Sequence, residues 1–273
     1  MSRGDAVSTV TADRGAVRSA LEAASGRVAG LVRRLPDPQV KIRSSDWTVG
    51  EASHHVAFAA RLLASLAQGA EIPHGDGSKQ GIAAANAASL RETPQQGAHQ
   101  LAETIVEQTR ALLEATTDVS PERTVVSPMG PMDLDTLTSY ALTHLLQHGS
   151  AIARAVGRPV PVEPSDVPLT LPFITYSMPR VIRGDAARSL RACFELRVRG
   201  GPRFALAFDR GSLTLSPTPT RAVDCYISAE PVALFLVGMG VVGQWGPIAT
   251  GRILAWGRKP WLAFRFVELF DVP

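Results

Sequence analysis

Cysteine is scarce in this chain: Cys193 and Cys225 are the only two in 273 residues, with no CxxC and no repeated spacing. That excludes a disulfide framework and a cysteine-ligated zinc site, and it suits a reducing cytoplasm with both thiols as inert packing residues. Lysine is scarce too, occurring only at positions 41, 79 and 259. The arginines that carry the remaining base are scattered, with no block beyond Arg33–Arg34 and no interleaved aromatics. A net charge of +3 and a pI of 9.2 therefore do not make a nucleic-acid interface. No apolar run is long enough to span a bilayer, and MSRGDAVSTVTADRG has no hydrophobic segment behind its charges. These absences argue against a membrane-spanning segment and a signal peptide, so a soluble cytoplasmic protein is expected.

What is present changes character near residue 160. Upstream, Ala/Leu/Arg/Glu-rich segments of helical period are separated by Pro- and Gly-bearing loops. Downstream, short β-rich runs alternate with Gly and Pro turns. Between them GRPVPVEPSDVP, with prolines at 159, 161, 164 and 168, reads as a semi-extended linker. The expected division is a helical domain over 1–158, a linker over 159–168 and a smaller mixed domain over 169–273.

Four helices are expected in the first part. The first covers roughly 11–35. The second starts at WTVGE, where Thr48 as N-cap and Glu51 three residues on make a capping box, with Trp47 outside it as a hydrophobic staple. It runs to about Gln68. The third region, roughly 80–117, is expected to break at Thr93–Pro94. The fourth starts near Asp133 and stops at Gly157, followed by Pro159. In the second part, CFELRVRGGPRFALAF reads as a hairpin around Gly200–Gly201, SLTLSP and AVDCYIS as further strands, PVALFLVGMG as a short helix and GRILAWG as a strand. KPWLAFRFVELF reads as a terminal amphipathic helix. The class is α+β, one sheet with helices on one side.

The fourth helix holds two of the six histidines, His144 and His148, within LTHLLQHGSAIARAVGR. Leu137, Tyr140, Ala141, His144, His148, Ala151 and Ile152 recur at three- and four-residue steps, so both imidazoles face the bundle. An i, i+4 pair on one face can share a metal ion, but two ligands are too few. His55, on a core-directed face of the second helix, can supply the third, whereas His54 points about 100° away. The plain alternative is a set of core histidines bonded to carbonyls. His74 and His99 have no partner at ligand spacing.

Trp47-Thr-Val-Gly-Glu…His55, followed after a long gap by His144xxxHis148-Gly and ARAVGR, resembles the DinB/YfiT-like metalloenzymes, and more narrowly the mycothiol-dependent maleylpyruvate isomerase family. GRILAWGRKPWLAFRFVELF is similar to the closing pattern of sterol-carrier-protein-like domains. The resemblance implies an N-terminal four-helix DinB-like bundle followed by a smaller α+β sterol-carrier-like domain. It implies a metal, zinc or another divalent ion such as nickel, on His55, His144 and His148, and mycothiol as thiol cosubstrate. It also assigns Arg252 a functional role near the C-terminus, where its guanidinium would hold a substrate anion.

Two departures bear on the reaction. The isomerase-like proteins carry glutamate where this chain has His144 and tend to carry aspartate where Ala151 stands. Three neutral imidazoles leave a zinc ion its full double charge, which favours lowering the pKa of a bound thiol or water. The leading expectation is therefore a mycothiol-dependent thiol S-transferase acting on an electrophilic small molecule, with cis–trans isomerisation as the alternative. A hydrolase that activates water in place of thiol is a further reading, as is a non-catalytic protein that binds a small molecule or lipid. Neither nucleic acid nor membrane is expected as a partner, and the chain is expected to be a monomer or homodimer.

Overall fold

The Asp13 carboxylate accepts a hydrogen bond from the Ala16 N–H at 2.7 Å and so starts α1 (Arg14–Arg33), satisfying one of the helix's orphan donors. The computed structural model describes residues 10–43, 45–75, 78–92 and 96–271. Their contacts divide them into a helical unit, residues 13–162, and a sheet unit made of residues 163–271 with the short stretch 10–12.

In the helical unit α1 is followed by α2 (Val49–Ala67), α3 (Lys79–Glu92), α4 (Ala98–Ala115) and α5 (Leu134–Ala155). α1 and α2 each pack against both α4 and α5, while α3 leans on α2, so the four-helix core carries one additional helix. Thr93 and Pro94, where the third region is expected to break, lie outside the described residues. A hairpin of β1 (Thr124–Ser127) and β2 (Gly130–Asp133) leads into α5 and has no counterpart in the sequence reading. Four-residue strands are too short to show an alternating pattern.

The expected capping box of α2 forms, and α5 is capped as well. Thr48 Oγ1 accepts from the Glu51 N–H at 3.1 Å, and the Glu51 carboxylate accepts from the Thr48 N–H at 2.7 Å. Asp133 caps α5 by accepting from the Thr136 N–H at 2.6 Å. At the far end Gly157 takes φ +65°. Arg158 N–H then donates to Ala153 O at 2.8 Å and Gly157 N–H to Arg154 O at 3.3 Å, a Schellman stop that only a residue tolerant of left-handed φ closes cheaply. Mid-helix, Gly149 lets α5 approach α1: a Cβ there would lie 2.7 Å from Val28 Cγ2.

The sheet unit opens with α6 (Val167–Ser177) and α7 (Gly184–Ala187). The sheet follows in the order β5 (Ser212–Ser216), β4 (Arg203–Asp209), β3 (Arg191–Val198), β6 (Cys225–Ala229), β7 (Ile253–Trp256). All pairs are antiparallel except β3–β6. α8 (Pro231–Gly238) and α9 (Trp245–Ala249) stand between β6 and β7. Ala192, Phe194, Leu196 and Val198 share one sheet face with Phe204, Leu206 and Phe208, and this face buries Leu171, Met178, Ala187 and Phe266. Helices thus cover one side, in agreement with the α+β expectation.

Two elements differ from the expectation. The closing KPWLAFRFVELF is not one amphipathic helix but two 3₁₀ segments, Pro260–Arg265 and Val267–Leu269. Its core residues Ala263, Phe266 and Leu269 recur at steps of exactly three, which stack on one side of a 3₁₀ turn and spiral off an α-helical face. The Pro-rich linker is also shorter at its end than 168, since α6 begins at Val167 with Pro168 in its first turn, where proline lacks only a donor that has no partner anyway.

Candidate metal centre

α2 and α5 lie side by side, and their facing stripes bring His55 from one and His144 and His148 from the other into a single cluster. One ring nitrogen of each lies within 4.8 Å of the other two. His55 Nε2 and His144 Nε2 are 2.9 Å apart, and the ring centroids of His144 and His148 are 4.4 Å apart. His55 is buried, whereas His144 and His148 keep part of their surface open. That leaves a side from which a ligand can approach.

Burial holds all three imidazoles neutral. Desolvation pushes His55 and His144 well below the ordinary histidine range, helped by repulsion from neighbouring imidazoles, and brings His148 down to about 4. A neutral imidazole offers a lone pair without first losing a proton, so at neutral pH all three donors are ready for a metal. No carboxylate joins this group among the described residues. Three nitrogen donors so placed could hold a divalent metal ion.

The other sequence candidates fall elsewhere. His54 turns away from the cluster and accepts a hydrogen bond from Gln96 N–H at 3.2 Å. His74 meets Asn86 Oδ1 at 2.8 Å and packs 5.6 Å from the Phe58 ring, and His99 is exposed on α4. Arg252 belongs to the sheet unit, just before β7, where its Nε pairs with the Glu230 carboxylate. Cys193 and Cys225 are buried, and desolvation raises both thiols, that of Cys225 to about 11, so neither is a nucleophile at neutral pH.

Sequence reasoning missed two aromatic neighbours. Trp47, expected as a staple, has its ring centroid 4.7 Å from that of His55 and 6.1 Å from that of His148. Tyr140 stands edge-on to His144 at 6.0 Å, its phenol pushed up to about 12 by burial and hence protonated. Tyr140 lies one turn before His144 on the same stripe, a signal that was legible. Ala151, where the resemblance leads one to expect an acid, joins the apolar cluster that also packs Trp47.

Residues 21–148, which hold the capped start of α2 and all three histidines, match the family model of the mycothiol maleylpyruvate isomerase N-terminal domain. The helical unit is similar to that domain over this stretch. A crystal structure of a mycothiol-dependent maleylpyruvate isomerase is similar at 13% identity and TM-score 0.52, covering 89% of this chain and 93% of that one. A histidine-to-alanine mutant of the same description gives 12% identity and TM-score 0.53 with the same coverage. At these identities the likeness is one of fold. No curated protein sequence matches this chain significantly.

The sheet unit has a cavity of its own, with about 850 Å³ of empty space that includes some open solvent. Leu171, Ile174, Leu196, Leu234, Phe235 and Phe266 are among its walls, which are almost wholly apolar. No helix of the described residues is long and apolar enough to cross a membrane.

Proposed function

We propose that the chain is a metal-dependent enzyme that uses mycothiol as a nucleophilic cosubstrate to isomerise a carbonyl-conjugated cis alkene of the maleylpyruvate type. The observation that carries this reading is the three-imidazole cluster within a unit similar to the isomerase N-terminal domain. His55, His144 and His148 would hold zinc, or nickel in its place. A divalent ion there would favour the thiolate over the thiol, whose free pKa of about 8.5 leaves it mostly protonated at neutral pH.

The chain's own groups do the rest. The imidazoles bring one ring nitrogen each within 4.8 Å of the others, and the partly open His144 and His148 edges admit the thiol. Thiolate sulfur adds to one alkene carbon, and the displaced π pair moves into the conjugated carbonyl as an enolate. Rotation about the resulting single bond and return of the electron pair expel the thiolate and leave the trans alkene. No atom is gained or lost and no thiol is consumed. For Arg252 the proposal is that the guanidinium binds a substrate carboxylate, its pair with Glu230 fixing its direction. Arg252→Ala is then expected to raise KM with metal content unchanged, and unaltered kinetics would leave it only its ion pair.

S-transfer is the second reading, favoured by His144: three neutral ligands stabilise anionic sulfur more than a set containing an acid. The two part on thiol balance. Metal-replete protein with mycothiol and maleylpyruvate, then with a panel of electrophiles, is followed by proton NMR together with thiol titration. Trans product at constant thiol is expected. Stoichiometric loss of thiol into a conjugate would establish the transferase, and neither change would remove both. The apolar cavity favours a third reading, a non-catalytic protein that binds an apolar small molecule. Purified protein free of zinc and nickel and indifferent to chelator would point there.

A further inference from the structure

A divalent ion on three neutral imidazoles keeps its whole double charge, and no carboxylate joins the cluster among the described residues to offset it. The electron-rich group that lies against two of the three imidazoles is the indole of Trp47, whereas the Tyr140 ring meets His144 alone. The Trp47 ring is 4.7 Å from His55 at 53° and 6.1 Å from His148 at 28°, the second contact being stacked. Its backbone is pinned just ahead of the α2 cap: Trp47 N–H donates to Ser45 Oγ at 3.1 Å, and its carbonyl accepts from Ile42 N–H at 3.0 Å. The side chain packs in an apolar cluster with Ile42, Val49, Ala52 and Ile152, so the ring stands between that cluster and the histidines.

We propose that Trp47 is the positioning residue of the metal centre: its π face holds the His55 and His148 imidazoles in place and offsets the positive charge they take up when a divalent ion binds. An imidazole bound to a dication is electron-poor, and an indole is the best of the side-chain π donors toward positive charge. The contact therefore strengthens on metal loading, and the loaded state gains more from it than the empty one. A leucine would fill comparable apolar space with no such preference.

The inference rests on the metal reading, and elemental analysis of the wild-type protein separates the two: wild type without metal removes the reading itself. With wild type loaded, cobalt is titrated into wild-type, Trp47→Phe and Trp47→Leu proteins whose circular dichroism matches. Affinity is expected to fall in the order Trp, Phe, Leu, with Leu weaker by about tenfold or more. The d–d absorption of the Leu variant should change as its imidazoles lose their fixed orientation. Equal affinity and an identical spectrum in all three would overturn the proposal. If Trp47→Leu does not fold, tryptophan fluorescence decides. Cobalt should quench an emission component present in wild type and missing from Trp47→Phe, in which only Trp245, Trp256 and Trp261 remain. Identical quenching in the two would equally overturn it.

Discussion

Truncating His148 to alanine takes away one of three donors and leaves His55 and His144, 2.9 Å apart at their Nε2 atoms, as a pair too small to retain an ion. Metal content of His148→Ala, measured by elemental analysis after gel filtration, is expected well below one per chain. Full occupancy would show that the ligand set is drawn wrongly. The same side chain sets a pH dependence in the metal-free protein. Its folded pKa is lowered from 6.5 to about 4, so between those values the unfolded chain takes up a proton that the folded chain does not. Stability from this group is complete above pH 6.5 and is lost as the pH falls toward 4. Urea midpoints of the metal-free protein should drop across this window, and the drop should shrink in His148→Ala.

Among the elements, α5 bears the most. Its cap, its inward histidine stripe and its glycine stop were all legible, because each depends on residues within a few positions of one another. Its approach to α1 was not, since it depends on what faces Gly149 from another helix. Gly149→Ala places a methyl 2.7 Å from Val28 Cγ2 and 3.1 Å from Pro161 Cγ. With Val28 fully buried, the helices must part, at a cost of about 1–3 kcal/mol in chemical denaturation. An unchanged midpoint would mean that this contact is loose. The closing segment shows the opposite failure: its apolar residues read as a helix face, while their spacing of three suited 3₁₀ turns. The β1–β2 hairpin went unread because its pairing carries it, not a hydrophobic alternation.

On the scale of the whole molecule, the two units differ in how they bury carbon. The helical unit closes around leucine, isoleucine, valine and alanine with three imidazoles clustered between two of its helices, and the sheet unit stacks phenylalanines on one sheet face beside an apolar cavity. A metal at the proposed site would bind the folded chain alone, because the unfolded chain does not hold His55 near two residues some ninety positions away. Stripping with a chelator should therefore lower the thermal midpoint, and zinc at a hundred times its Kd should return about 2.7 kcal/mol of stability. A midpoint indifferent to both would remove the metal from the account of this protein.

The sequence by itself determined the class, the capping box of α2, the order of the sheet unit's strands along the chain and the three histidines, because periodicity, capping chemistry and ligand spacing act over a few residues. Trp47 could be placed beside the α2 cap but not against His148, which is a contact across two helices. Likewise the parallel β3–β6 pairing, the neutral state of the imidazoles and the commitment of Arg252 to Glu230 came only with the tertiary structure. Each is set by neighbours distant in sequence, through desolvation and packing that no local pattern encodes. WTVGE thus announced a helix start. Only the folded chain turned its tryptophan into a wall of the histidine cluster.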